Sequence, residues 1–335
     1  MTDQTTFALD LHRVAVPDPD ANACWSPFSV ASALALVREA ARGKTRDELD
    51  QLIAGFVPED ALDVEDLAVA NTLWADDTLP LNPGFSLASS VRQAHFADAK
   101  TVRKRVNADV AESTRNLIPE LLPPPTSPYA GAIIVNALYL KVGWKTAFSA
   151  GKTKPRLFHA PGGDVEVPTM KVTALLGYSR TEGWQTIALP ARSGVEALVL
   201  LPDESLEQPL HAAAFEVRDS TAIALSLPKV DVREKFELRE TLEQLGVGTM
   251  FSPDADLGGL SPDPLFVSAV IHEAVLRLDE KGLEGAAATA VVKSRGASPR
   301  KPVDPIAVQV DRPFLVAVRH ARSKAIYFLA QVARP

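Results

Sequence analysis

One cysteine in 335 residues, Cys24, rules out any intrachain disulfide, so packing and hydrogen bonds must hold this chain together. Cys24 precedes Trp25 in an apolar context, where a free thiol acts as a small buried hydrophobe. Charge of one sign is nowhere concentrated. The formal net charge is −7 and no block of like charge exceeds a few residues, which argues against nucleic acid or an anionic membrane as the main partner. No apolar run approaches the roughly 18 residues that a membrane-spanning helix needs. The N-terminal MTDQTTFALD lacks a basic segment followed by an apolar run, the pattern of a secretory leader. The expectation is a soluble, cytoplasmic protein, with leaderless secretion left open.

Catalytic signatures are missing as well. No G-x-S-x-G and no G-x-G-x-x-G occurs. Arg42-Gly43-Lys44-Thr45 mimics the end of a phosphate-binding loop, but Arg38 stands where the motif's first glycine belongs. The segment also ends a helix where that motif should begin one. His272-Glu273 is followed by Leu276 in place of a second histidine, so it is not the zinc helix. Six scattered histidines offer no metal-ligand spacing. A hydrolase therefore has no nucleophile to rest on, and no metal or cofactor is expected.

What is present is a 46% apolar chain, enough for a large core, with helices early and strands late. That order suggests an α+β fold and not regular βαβ winding. Phe7, Leu9, Leu11 and Val14 predict a short first helix ended by Pro17 and Pro19. Ser26-Pro27 opens the next, with Ser as N-cap and Pro at the first helical position, and Gly43 is expected to cap its end. Thr45-Arg46-Asp47-Glu48 reads as a capping box for a third helix. Helices are also expected over 83–95, 106–117 and 238–245. Strands are expected over 67–74, 132–142, 222–230 and 268–278, with several more between 158 and 201 and others at 306–310 and 313–318.

Between the strands at 268–278 and 306–310 lie about two dozen residues with almost no large side chain, the length at which a connection is usually functional or a linker. Leu283, Gly285, Ala287, Thr289 and Val291 share one parity and would line one face of an extended chain. None is charged. Glu284 falls on the other face with Ala286, Ala288 and Ala290. Small, uncharged, alternating residues suit a segment that slides into an existing sheet, yet the same composition suits an Ala-rich connector or a short helix.

Segments along the whole chain carry a resemblance that separates these readings. NACWSPFSVASALALV, LAVANTLW, IIVNALYLKVGWKTAF, LPKVDVREKFELRETLEQLGV, FSPDADLGGL, VIHEAVLRLDEKGLEGAAATA, VDRPFLVAV and IYFLAQVARP occur in the order found in the serpins. The chain resembles that family from first helix to last strand, as a single domain over 1–335, and reads as an inhibitory, prokaryotic-type member. The resemblance implies an α+β fold of about eight or nine helices around three sheets, with an exposed reactive-centre loop at about 280–305.

The resemblance also implies roles. Glu280, Gly282, Leu283, Glu284, Gly285, Ala286, Ala287, Ala288, Thr289 and Ala290 match the hinge of that loop. Ser26, Ser29, Asn136 and His272 match the shutter, a hydrogen-bonded cluster beneath the main sheet, and Trp144 matches the breach. A target protease attacks the loop, forms an acyl-enzyme, and is carried off as the cut loop inserts as a new central strand. About ten residues at roughly 3.3 Å each would carry it more than 30 Å.

The sequence departs from the family pattern in places. Inhibitors commonly have Thr or Ser where Leu283 stands and Ala where Gly285 stands, and this loop is longer than usual. The usual hinge-to-cleavage distance reaches Gly296, and one residue less reaches Arg295. A long cation suits the acidic specificity pocket of trypsin-like proteases, so Arg295–Gly296 is the expected scissile bond. Gly296–Ala297, for an elastase- or subtilisin-like target, is the alternative. The partner expected is a serine protease held in a covalent complex by a monomer. The other readings are a non-inhibitory serpin acting as a binding or chaperone-like protein, and an inhibitor of cysteine proteases.

Overall fold

Ser26 starts the helix on which the molecule is centred. Its Oγ accepts from the Ser29 N–H at 3.0 Å, and Pro27 occupies the first turn, where its missing N–H costs nothing. The helix runs Pro27–Ala40 and is buried on nearly all sides, as its apolar residues from Phe28 to Val37 require. The computed structural model describes residues 4–56, 64, 67–124, 130–217, 219–283 and 304–335.

In chain order the elements are α1 (Gln4–Ala15), β1 (Ala23–Trp25), α2 (Pro27–Ala40), α3 (Gly43–Leu52), β2 (Leu67–Asp76), β3 (Val91–Ala94) and α4 (Ala99–Ser113). Next come β4 (Ala132–Leu140), β5 (Val142–Gly143), β6 (Lys154–Ala160), β7 (Gly163–Thr181), β8 (Trp184–Pro190) and β9 (Val195–Pro202). Then follow β10 (Asp219–Pro228), β11 (Val230–Glu237), α5 (Arg239–Gln244), β12 (Val267–Leu278), β13 (Gly282–Leu283), β14 (Ile306–Gln309), β15 (Phe314–His320) and β16 (Ile326–Val332).

These strands form two hydrogen-bonded sheets. The first, of seven strands, runs β3-β2-β4-β12-β13-β5, with β11 beside β12. The second, of nine, runs β1-β16-β15-β9-β8-β7-β10-β14, with β6 on β7. Where the resemblance implies three sheets, the 19-residue β7 joins two of them, because it pairs in turn with β6, β10 and β8. The described residues hold five α-helices and four short 3-10 turns.

The seven-stranded sheet is covered on both faces. On one side α2 and the larger sheet form the main core, which includes Leu138, Val142, Leu278 and Leu283. On the other side Val102, Val106 and Val110 of α4 pack on Ile133, Val135, Ala137 and Val275.

The strands fall close to their expected places, but several helix expectations fail. Residues 83–95 are not helical. They hold turns and then β3, whose Val91–Ala94 pairs in parallel with Leu73–Asp76, so a free sheet edge outweighs local propensity. The helix expected over 106–117 is α4, which starts at Ala99 on the Asp98 N-cap and includes residues 100–105, with Lys100, Thr101, Lys104 and Arg105 exposed and Val102 buried. It ends early because Arg115 and Asn116 take positive φ. Gly43 does not cap α2, which stops at Ala40; it opens α3 with φ +48. The capping box at residues 45–48 is absent too. Thr45 Oγ1 accepts from the Asp256 N–H at 3.0 Å, and Glu48 accepts from the N–H groups of Gly248 and Thr249. Both side chains serve long-range contacts that spacing along the chain cannot reveal.

Candidate functional site

The point of interest is where two adjacent strands part. β4 and β12 pair in parallel from Ala132↔Val267 to Ala137↔Glu273. Beyond that they separate, and the gap is occupied by β13. Leu283 pairs with Leu278 of β12 on one side, while Gly282 and Leu283 pair with Gly143 and Val142 of β5 on the other, all antiparallel. Gly282 and Leu283 therefore form a two-residue strand between β12 and β5.

Local chemistry explains how the chain turns back so sharply. Asp279 Oδ1 accepts from the N–H groups of Lys281 (2.7 Å) and Gly282 (3.1 Å), and the Asp279 N–H donates to Gly282 O at 3.0 Å. Neighbouring chain clamps the turn. Trp144 Nε1 donates to Asp279 O at 2.8 Å, the Trp144 N–H to Lys281 O, and the Phe148 N–H to Glu280 O. Glu280 lies against Lys229 Nζ (2.9 Å) and accepts from Thr153 Oγ1 (2.7 Å). Burial alone would raise its pKa, but the hydrogen bonds from Lys229 and Thr153 outweigh it and hold the carboxyl below the usual range.

Gly282 is required by contact. A Cβ there would lie against Val142 O and 2.7 Å from Gly143 Cα. Leu283, the departure from the family's usual Thr or Ser, is 1% exposed and packs with Leu278 and Val142 in the main core. Residues 280–283, which fall within the loop bounds expected at about 280–305, lie in the turn and in β13.

Below the parting lies a buried polar cluster. Register sets Asn71 of β2, Asn136 of β4 and His272 of β12 side by side across three strands, against the N-terminus of α2. The Ser26 N–H donates to His272 Nε2 at 2.9 Å, so Nδ1 carries the proton and donates to Asn136 Oδ1 at 2.5 Å. Asn136 Nδ2 donates to Ser29 O (2.8 Å), to Ser29 Oγ (2.7 Å) and to Asn71 Oδ1. Burial holds the His272 pKa down at about 3, so the ring is neutral.

The structure thus brings Ser26, Ser29, Asn136 and His272 into one network and sets Trp144, Glu280, Gly282 and Leu283 together at the parting. Sequence reading missed Asn71, whose signal was a lone amide within the alternating LAVANTLW, and it missed Asp279, Lys229 and Thr153 at the turn. The hinge residues from Glu284 to Ala290 and the bait residues Arg295, Gly296 and Ala297 lie outside the described residues.

Comparison with known proteins agrees over the full length. A family model for serpins (serine protease inhibitors) matches residues 2–335. Serpin A3-5 of Bos taurus is 32% identical, covering 99% of this chain and 88% of that protein. Iripin-2 of Ixodes ricinus is 31% identical, with 97% and 91% covered. Among solved structures, human thyroxine-binding globulin superposes with a TM-score of 0.86 at 22% identity, covering 100% of this chain and 98% of that one. Uncleaved ovalbumin gives 0.84 at 23% identity with 98% of each chain covered. Native protease nexin-1 with heparin gives 0.85 at 23%, with 100% and 98% covered. At these identities the superpositions speak to the fold alone.

Proposed function

The chain belongs to the serpin family, and from that premise we propose that it is a suicide inhibitor of serine proteases that acts as a monomer. Serpins as a family are protease inhibitors and not catalysts. The observation that carries the finer reading is the pairing of Gly282 and Leu283 between β5 and β12. The loop enters the sheet in the antiparallel direction that further insertion needs, and every later residue on the Leu283 parity up to Val291 is uncharged. Once the loop is cut, its N-terminal part is free to continue down the gap, and each added residue gains ladder bonds on both sides.

The bait is Arg295–Gly296, read by a trypsin-like protease, with Gly296–Ala297 as the alternative for a target with a small pocket. The insertion residues after Leu283 are Glu284, Gly285, Ala286, Ala287, Ala288, Thr289 and Ala290. Ser26, Ser29, Asn136 and His272 govern how readily β4 and β12 part, and Trp144 and Glu280 hold the entry.

Incubation with trypsin followed by a denaturing gel tests the reading. The expected result is a band at the summed mass of protein and protease that survives denaturation. Clean loop cleavage without such a band, for trypsin and for elastase- and subtilisin-like proteases, would overturn it and favour a non-inhibitory binding or chaperone-like serpin. Mass spectrometry of the released peptide locates the scissile bond.

A further inference from the structure

A second site lies on the larger sheet, beside the strand that follows the loop. A cavity of about 290 Å³ is lined by Arg156 and His159 of β6, Thr169 of β7, Ser226 of β10, Gln309 of β14 and Asp311 just after it. Strand register explains the grouping. Ser226 pairs directly with Lys171 and with Gln309, which sets all three on one side of the sheet. Thr169 shares that side by alternation, and Arg156 joins it through its pairing with Val167. Backbone closes the rim, with the Val310 N–H donating to Ser226 O at 2.9 Å and the His159 N–H to Asp311 O at 2.7 Å.

Thr169 Oγ1 already donates to Val167 O at 3.1 Å and His159 Nδ1 faces Asp164, but other donors at this cavity have no use within the fold. Arg156 Nε is buried and has no hydrogen-bond partner, and among the described residues nothing pairs with the rest of its guanidinium. The side chains of Ser226 and Gln309 and the ammonium of Lys171 are likewise without partners among the described residues. A buried guanidinium nitrogen left unpaired is costly. The acidic groups nearby are already engaged: Asp311 faces Arg312 at 3.3 Å, and Asp164 faces His159 Nδ1 at 2.8 Å.

We propose that this cavity binds a small divalent oxyanion of the phosphate type, clamped by Arg156 with Ser226 and Gln309 as further donors and Lys171 adding charge. The volume sits at the lower end of ligand pockets, which limits the occupant to a small one. Bidentate pairing of guanidinium with an oxyanion is the strongest contact on offer. Binding also has a mechanical effect. β14 holds to the sheet edge through only four paired residues, Ile306–Gln309 on Ile223–Ser226. An anion bridging Gln309 to β6 and β10 ties that strand down, and with it the C-terminal end of the loop. None of this depends on the chain being an inhibitor.

The test is calorimetric titration of the full chain with inorganic phosphate and, separately, glycerol phosphate, each against sodium chloride of equal ionic strength. Saturable binding of inorganic phosphate is expected, with slower hydrogen exchange at the Ala307 and Val308 amides. Arg156→Gln is expected to lose about tenfold in affinity, the worth of one charged hydrogen bond, while Arg180→Gln, on an exposed pair with Asp203, changes nothing. Should Arg156→Gln fold poorly, Gln309→Ala on the exposed strand provides the same comparison. Equal binding of glycerol phosphate assigns the site to phosphomonoesters, and binding of inorganic phosphate alone assigns it to the free ion. Absence of a response beyond chloride, or wild-type affinity in both Arg156→Gln and Gln309→Ala, would overturn the proposal.

Discussion

His272 and Asn136 are polar residues with no exposed surface in the middle of a sheet, and they are tolerated because every proton among them has an acceptor. Removing one partner is therefore expensive. An orphaned buried group costs about 1–3 kcal/mol, and Asn136→Ala would orphan the His272 Nδ1–H and remove the donor that Ser29 O and Oγ share. The ring also gives a pH signature. Its folded pKa is about 3 against an ordinary 6.5, so between these values the unfolded chain binds the extra proton. The stability it contributes is whole above pH 6.5 and drains as pH falls, at no more than about 1.4 kcal/mol per unit. His12, held at about 4 mainly by burial, acts with the same sign, so the informative quantity is a difference. Urea unfolding at pH 4.5 to 7.5 should show a shallower slope for His272→Gln than for wild type. Equal slopes would mean that the imidazole is not held neutral.

At the scale of the element, β13 sets the parity of whatever follows it. Leu283 faces the main core with Leu278 and Val142, so Gly285, Ala287 and Thr289 would continue on that face if the strand extends. The opposite face would meet the side covered by α4, and there the sequence supplies Ala286, Ala288 and Ala290, which need little room. Thr289→Arg places a charge on the core face. Once the insertion stalls, the acyl-enzyme has time to hydrolyse. The variant should therefore be cleaved as a substrate, with the yield of covalent complex on a denaturing gel falling several-fold. Glu284→Arg sits on the other face near the entry and should cost far less. Equal loss from both would remove the parity argument.

For the molecule as a whole, cutting the loop should change stability sharply. An inserted strand of about ten residues forms ladder bonds on both sides, and at roughly 1 kcal/mol net per residue the gain approaches 10 kcal/mol. For a chain of 335 residues each kcal/mol moves the unfolding midpoint by about 1–2 °C, so a rise of roughly 10–20 °C is expected. Scanning calorimetry of intact and loop-cleaved protein checks this. A midpoint unchanged by cleavage would show that the two residues of β13 are as far as the loop goes.

Sequence alone determined the local parts of this protein: the strands, which fall close to their expected places even where both faces are buried, as in β4, β15 and β16, and the Ser26–Pro27 start of α2. It also determined the uncharged parity of the loop, and through the order of its motifs it pointed to the family. The tertiary structure decided the rest, because the rest depends on partners distant in the chain. Val91–Ala94 is a strand only because β2 offers it an edge. Thr45 and Glu48 bind loops some two hundred residues away in place of their own helix. Asn71 joins the buried cluster only once three strands align. The entry of Gly282 and Leu283 into the sheet could not be read from a small-residue stretch, since it depends on β5 and β12 diverging just there.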